Sequence, residues 1–507
     1  MADYTSKFSR EQIDALLDKV GSVNINNQDK IIDIIKNGTT EVVADSGYTG
    51  LGKVSVNVNV PTSGGATQVI SVNDVNFYDY DGTLLHSYTK DAFLALNELP
   101  PLPTQQGLTC QEWNYTLSGA KECLAEYGKL NIGATYITDD GKTRLYINIA
   151  EAGRFNVPLY FSQTVSNGVV IDWGDGSATE TISGTGNLNT IHTYASVGEY
   201  VITLDVADGC TLGLGHNANN YCVMGSTGNS TRVYCNMLQK VELGKGIVSL
   251  DSFSFYYCHS LATIVIPKNV TSLKGYNFYN CYYLKAVVIP NSIVELGSNM
   301  FQNCYSLENI ILQEGVISIG NSLLYGCYSL SSIVFPKDLE SLGENAFQNC
   351  YSLSTVNIPN KLLKISASMF NNCSSLQSVN MPNSVETISS YAFQNCVALQ
   401  DVNLSEALTH IESSFVGCYS LSKIVFPKSI TNIGATAFRI CYGMALYDFS
   451  QLKAIPTLAN TNAFQSIPSD CKIIVPDALY DEWIAATNWS TYASYIIKKS
   501  EWDSLNA

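Results

Sequence analysis

The stretch FQNCYSLENIIL, residues 301–312, returns almost unchanged along the second half of the chain. It reads FQNCYSLSTVNIP from Phe347 and FVGCYSLSKIVFP from Phe415, inside a longer pattern FxNCYSLxxIVIPxSIxxIG. The cysteine marks the period. Cys235, Cys258, Cys281, Cys304, Cys327, Cys350, Cys373, Cys396, Cys418 and Cys441 are ten of the fifteen cysteines. Eight of their nine intervals are 23 residues, and the one from Cys396 to Cys418 is 22. Repetition at a fixed period of this size predicts a solenoid, because one unit cannot bury its own apolar face and stacks on the next. Within a unit, Leu307, Ile310 and Leu312 alternate as an inward strand face should. Pro267, Pro290, Pro336, Pro359 and Pro427 then stop the strand, since proline cannot donate to the ladder. At about 4.8 Å per coil the array should run about 45 to 50 Å.

The regular spacing puts every ladder cysteine in one internal column, where a thiol behaves as a small hydrophobe. A metal or redox centre needs ligands converging on a point, and these are spread along an axis. The repeated CxSLxxIxIP resembles the BspA-like leucine-rich repeats, over residues 230–470. The segment CKIIVPDALYDEWIAATNWSTYASYI, within residues 471–507, resembles the strand and amphipathic helix that cap many such arrays. The resemblance implies a fold and a habit of surface recognition, and it implies no reaction.

Composition narrows the partners. Charged residues are 14% of the 507, against about 25% in ordinary soluble domains, and there are 31 tyrosines. A surface that is neutral, polar and aromatic suits sugars or proteins better than polyanions. The net charge of −16 argues against nucleic acid, which demands Lys and Arg to displace phosphate counterions. No run of about 18 apolar residues offers a membrane span, and MADYTSKFSREQIDALLDKV has no apolar core of a signal peptide.

Two segments spell enzyme motifs. VNFYDYDGTLLHSY, residues 75–88, runs an apolar strand into Asp79 and Asp81 as in phosphatases of the haloacid-dehalogenase type, and Asp172 or Asp175 could serve as a late acidic motif. Such an enzyme needs several βα units to gather its motifs at one edge of a parallel sheet. The sequence between Thr83 and Val169 shows no such alternation. Asp81-Gly82 between strand-like flanks is a hairpin signal in its own right, expected as a type I′ turn. Thr89 should cap a following helix, KDAFLALNEL. The second segment, WGDGS at 173–177 with His192, Tyr194, Gly198 and Tyr200, resembles the PKD domain, an immunoglobulin-like sandwich. That resemblance implies a tight turn at Gly174-Asp175-Gly176 and core tyrosines.

The expected architecture is multidomain and mainly β. It comprises an N-terminal helix/strand anchoring arm (1–62), a small α+β unit (67–145), a PKD-like sandwich (146–208), the solenoid (230–470) and a helical cap (471–507). The arm carries an amphipathic helix opened by Ser9 and the alternating Val54, Val56, Val58 and Val60. It is followed by a TSGG linker, and it resembles modules that start phage tail and fibre proteins. Residues 77–147 likewise resemble tail-associated proteins of gut phages. Five scattered histidines give no metal spacing; His216 between Cys210 and Cys222 is the nearest approach, and no metal or cofactor is expected.

Binding candidates come from the repeat. The residue after the ladder cysteine is Tyr282, Tyr305, Tyr328, Tyr351, Tyr419 or Tyr442, a tyrosine stripe that can bind or only pack on itself. The outward position of the first strand is Val265, Val288, Ile311, Val334, Asn357, Asn380, Asn403 or Val425, so Asn357, Asn380 and Asn403 form a hydrogen-bonding ladder beside an apolar patch. These features lead to a phage virion fibre or decoration whose solenoid grips a host glycan or protein. Its arm would join other virion proteins or sister chains in a homo-oligomer. The alternative is a bacterial cell-surface adhesin, and the remote third a phosphatase using Asp79 and Asp81.

Overall fold

The computed structural model describes residues 73–215, 221–226 and 232–506. The expected arm, its linker and His216 lie outside them. The described chain is mainly β, and a solenoid of about eleven coils dominates it.

Each coil contributes two short strands to two parallel ladders. One ladder includes Ala286–Val288, Asn309–Ile311, Thr355–Asn357, Ser378–Asn380 and Asp401–Asn403, in which Ala286 pairs with Asn309 and Asn357 with Asn380. The other runs through two-residue strands such as Ser318–Ile319 and Ser341–Leu342. Between the ladders, stacked side chains fill the interior. Phe255, Phe278 and Phe301 stack at 5.2–5.5 Å, and Phe347, Phe370, Phe393, Phe415, Phe438 and Phe464 at 5.1–5.6 Å, with Leu324 between the two runs.

All ten ladder thiols are fully buried, as the spacing predicts, yet they are more than hydrophobes. From Cys281 on, each Sγ donates to a carbonyl of the preceding coil: Cys304 to Phe278, Cys350 to Leu324 and Cys396 to Phe370, at 3.1–3.2 Å. Burial pushes the Cys350 thiol up to about 12, so it stays protonated and keeps donating. A serine there would inherit the Leu324 carbonyl. We therefore expect Cys350→Ser to cost only about 1 kcal/mol, the scale of one neutral hydrogen bond, by urea denaturation of the intact chain.

The residue before the cysteine explains the Asn of the motif. Asn280, Asn303, Asn349, Asn372 and Asn395 sit at φ 57–63°, and Gly326 and Gly417 take the same place at 74°. Asn and Gly tolerate this left-handed region best. Their amides also tie coils together, Asn372 Nδ2 donating to Asn349 Oδ1 at 2.7 Å and Asn395 Nδ2 to Asn372 Oδ1 at 2.9 Å.

Upstream, β1 (Val75–Tyr78), β2 (Leu84–Tyr88), β3 (Leu108–Trp113) and β4 (Leu130–Thr138) form a sheet of order β2-β1-β4-β3, with α1 (Lys90–Leu94) and α2 (Leu117–Tyr127). Thr89 caps α1, accepting from Ala92 N, and the helix ends at Leu94, well short of the expected span. The Asp81-Gly82 hairpin is present, but its turn is not type I′. Gly82 N bonds to Asp79 O at 3.1 Å, and within the turn only Gly82 has positive φ, 89°. This is a type I turn closed by a left-handed glycine.

β5 (Thr143–Ile149), β6 (Asn156–Gln163), β7 (Val169–Asp172), β8 (Glu180–Ile182), β9 (Gly186–Thr193), β10 (Gly198–Val206) and β11 (Leu212–Leu214) follow. They form two sheets, one containing β5-β10-β7-β8 and the other β11-β6-β9. β5 belongs to the first from Thr143 on, so the chain changes sheets in the turn 139–142, just before the expected boundary at 145. That sheet does not stop at β5. The strand Leu238–Glu242 pairs antiparallel with β5 and parallel with Thr263–Val265, so it runs straight into the solenoid and closes its first edge. Covered edges prevent strand addition by other chains.

The far end closes differently from the expected strand plus amphipathic helix. Strands Lys472–Val475 and Ile496–Lys498 extend the ladder, and the helix between them is short, Tyr480–Ala485. Trp483 and Trp489 are buried against Phe449 and Phe464, with ring centres 5.4–5.6 Å apart.

Candidate recognition surface

The motif carboxylates come first, since a reaction would need them. Asp79 is 1% exposed; its carboxylate accepts from Tyr80 N at 2.8 Å and Gln105 Nε2 at 2.5 Å. Asp81 accepts from Thr83 N at 2.9 Å within the turn. Asp81 serves its own hairpin, and Asp79 ties that hairpin to Gln105. Their sheet contains a single parallel pair, β1 with β4, and no doubly wound edge.

Asp175 is equally occupied. Gly174 and Gly176 take φ of 77° and 82°, and Asp175 Oδ1 accepts from Ser177 N at 3.0 Å. Its other oxygen meets His192 Nε2 at 2.7 Å, and His192 stacks on the buried Trp173 at 4.7 Å. The hydrogen bonds from Ser177 and then His192 hold the Asp175 carboxyl down at about 2. A depressed carboxylate stabilises the fold fully above its ordinary value of 3.8 and loses that contribution as pH falls through about 2. Wild type should therefore melt higher than Asp175→Asn at pH 5, and the gap should close between pH 4 and 2, in thermal melts over that range. Among the described residues, no group of three or more His, Cys, Asp or Glu side chains could hold a metal ion.

The tyrosine column is a ring ladder. His259 stacks on Tyr282 at 4.2 Å, Tyr282 on Tyr305 at 4.7 Å, Tyr305 on Tyr328 at 4.6 Å, and Tyr328 on Tyr351 at 5.0 Å with a 31° tilt. Ser374 and Val397 then interrupt it, and Tyr419 and Tyr442 form a second, looser pair at 5.6 Å. The single expected stripe is two segments. Ring faces turn toward each other and ring edges outward, with exposure rising along the array: Tyr351 is 42% exposed, Tyr419 47% and Tyr442 60%. A second set of aromatics, unanticipated from the sequence, lies beside the first coils. Phe253 stacks on Tyr276 at 5.0 Å and Tyr256 on Tyr279 at 5.0 Å. Their 23-residue offset, the period of the ladder, was the available signal.

The first-strand column has a different fate, and here the structure corrects the expected patch. Val265, Val288 and Ile311 are 1–5% exposed because the α+β unit lies on them. Val334 packs against the same unit. The fit is close: a Cβ on Gly133 of β4 would stand 2.5 Å from Val288 Cγ1, and one on Gly82 2.9 Å from Ala286 Cβ. Asn114 Nδ2 donates to the carbonyls of Ile289 at 3.2 Å and Ile311 at 3.4 Å. Ion pairs Lys268–Glu112 and Lys337–Glu122 rim the contact. Asn357 is taken by the same unit, its amide donating to Tyr127 O at the end of α2 at 3.0 Å. Of the expected asparagine ladder, Asn380 and Asn403 remain exposed, joined by a 2.6 Å hydrogen bond.

Residues 227–354 and 340–470 match the family described as BspA type leucine rich repeat region, in six copies. A T. pallidum leucine rich repeat protein is 31% identical over 36% of this chain and 83% of its own, with a TM-score of 0.30. A leucine-rich repeat protein from Bacteroides ovatus is 22% identical over 52% of this chain and 67% of its own, TM-score 0.42. A leucine rich cell surface protein from Faecalibacterium prausnitzii is 26% identical over 53% and 76%, TM-score 0.32. A search of the curated proteins finds no match. The repeat segment, residues 227–470, is thus similar to the BspA type leucine rich repeat region.

Proposed function

We propose that this is a non-enzymatic recognition protein of the bacterial cell-surface adhesin type, whose solenoid binds a glycan or protein on another surface. One observation carries the reading. The chain's own α+β unit covers the apolar half of the first-strand face, while the coil edge keeps Tyr351, Tyr419 and Tyr442 between 42% and 60% exposed. Aromatic edges with few charges favour sugars and proteins over polyanions. The repeat match supports the same reading, since a protein with a similar repeat is described as a leucine rich cell surface protein. The two-sheet unit at residues 143–214 is, in this reading, a PKD-type spacer. Its Trp173 turn and the buried Tyr194, which donates to Trp173 O at 2.8 Å, fit that assignment.

A virion fibre is the second reading, and it rests on the resemblance of residues 77–147 and of the N-terminal arm to phage proteins. There the arm would join other particle proteins or sister chains. Immunolabelling of intact source cells and of purified phage particles separates the two. Label on cells supports the adhesin; label confined to particles replaces it with the virion protein.

A further inference from the structure

The ladder thiols from Cys281 onward share one partner type, the carbonyl three residues before the previous ladder cysteine. Among the described residues no coil precedes Cys235, so the column offers it no such carbonyl. Another thiol stands near instead: Cys222 Sγ lies 2.8 Å from Cys235 Sγ. That is less than 1 Å beyond the covalent separation of about 2.05 Å. Cys222 is held there from two sides. It sits on a small hairpin, Tyr221–Cys222 with Gly225–Ser226. In that hairpin Val223 O accepts from Tyr160 N of β6, and Val223 N donates to Ser254 O of the first coil, both at 2.8 Å. The pair therefore marks the joint between sandwich and solenoid. Both thiols are buried, 0–1% exposed, as is Cys258 on the other side of Cys235.

We propose that Cys222 and Cys235 are a disulfide site, closed during folding in the presence of a small-molecule disulfide, while the other ladder thiols stay reduced. With oxidised glutathione the step balances. The Cys222 thiol loses its proton and attacks one glutathione sulfur, releasing one glutathione thiolate. The Cys235 thiolate then attacks the Cys222 sulfur of the mixed disulfide and releases the second. Two protein thiols are oxidised, one glutathione disulfide is reduced, and two protons leave. Folding is the time for it, because the finished core admits no reagent to either sulfur. The ladder thiols from Cys281 onward are each committed to a carbonyl one coil away, which leaves Cys258 as the one ladder thiol that could compete for Cys235. The bond closes a short loop across the joint and limits the unfolded chain.

The test refolds the full chain from denaturant in a glutathione redox buffer, alkylates free thiols under denaturing conditions and maps the peptides. The expected result is one linked peptide pair, Cys222 with Cys235, and thirteen of the fifteen cysteines alkylated. The oxidised chain should melt a few degrees above the reduced one, and Cys222→Ser should abolish both the link and the shift. Alkylation of all fifteen, or a link between Cys235 and Cys258, overturns the proposal. Cys235→Ser provides the reciprocal variant.

Discussion

Gly133→Val is expected to unseat the α+β unit from the solenoid and to destabilise the chain by about 3 kcal/mol, at the upper end of overpacking costs. The reason is local. A Cβ at position 133 falls 2.5 Å from Val288 Cγ1 and 2.7 Å from Cγ2, and Val288 is itself buried and β-branched, so neither side can yield by rotation. Movement of β4 would also break the bond from Gly133 N to Asn114 Oδ1 at 2.8 Å, which positions Asn114 against the Ile289 and Ile311 carbonyls. Hydrogen exchange should accelerate at Val288, Ile311 and Val334 in Gly133→Val. It should not in Gly153→Ala, where an added Cβ meets nothing within 4 Å. Unchanged exchange beneath the unit would show that the two surfaces are not held together.

Phe370→Ala should cost more, about 4 kcal/mol, as for other fully buried aromatic truncations. Phe370 is 0% exposed and stacked between Phe347 and Phe393 at 5.5 Å each, and its carbonyl accepts the Cys396 thiol at 3.1 Å. Since each coil touches only its neighbours, the loss should stay in the coils around 347–393 and spare the sandwich. The chain already carries its own control, because Leu324 occupies the same column. Phe370→Leu should thus cost only about 1 kcal/mol. Denaturant melts with exchange mapping read both changes; equal costs for Ala and Leu would contradict a packed ring column.

The repeat was legible because its signal is periodic: cysteines at 23-residue steps, strand alternation and stopping prolines need no knowledge of distant partners. The asparagine before five of the ten ladder cysteines was visible too, but its left-handed backbone was not, since spacing carries no φ. What stayed hidden depends on contacts between segments far apart in the chain. Gly133 meets Val288, and Asn357 meets Tyr127 across 230 residues, and no local pattern in either segment records the other. Hence the outward strand positions read as a free face, while the structure shows five of the eight covered. The hairpin at Asp81-Gly82 was recognised, and only its turn type differed, because Asp81 does not adopt the positive φ that type I′ demands. The tyrosines after the ladder cysteines stack as two segments, and the break between them follows from Ser374 and Val397, both visible in the sequence.

Recognition through the ring ladder is tested most directly by binding of the purified chain to a panel of immobilised polysaccharides and extracellular glycoproteins. The wild type is compared with a Tyr305→Ala, Tyr328→Ala, Tyr351→Ala triple variant and with the matching triple Tyr→Phe variant. The account predicts binding to at least one member of the panel and a loss of about tenfold or more in the Ala variant, the scale of removing interface aromatics. The Phe variant, which keeps the stacked rings, should retain the wild-type melting profile and most of the affinity. Wild-type affinity in an Ala variant that remains folded would contradict the assignment, leaving the ladder as packing alone.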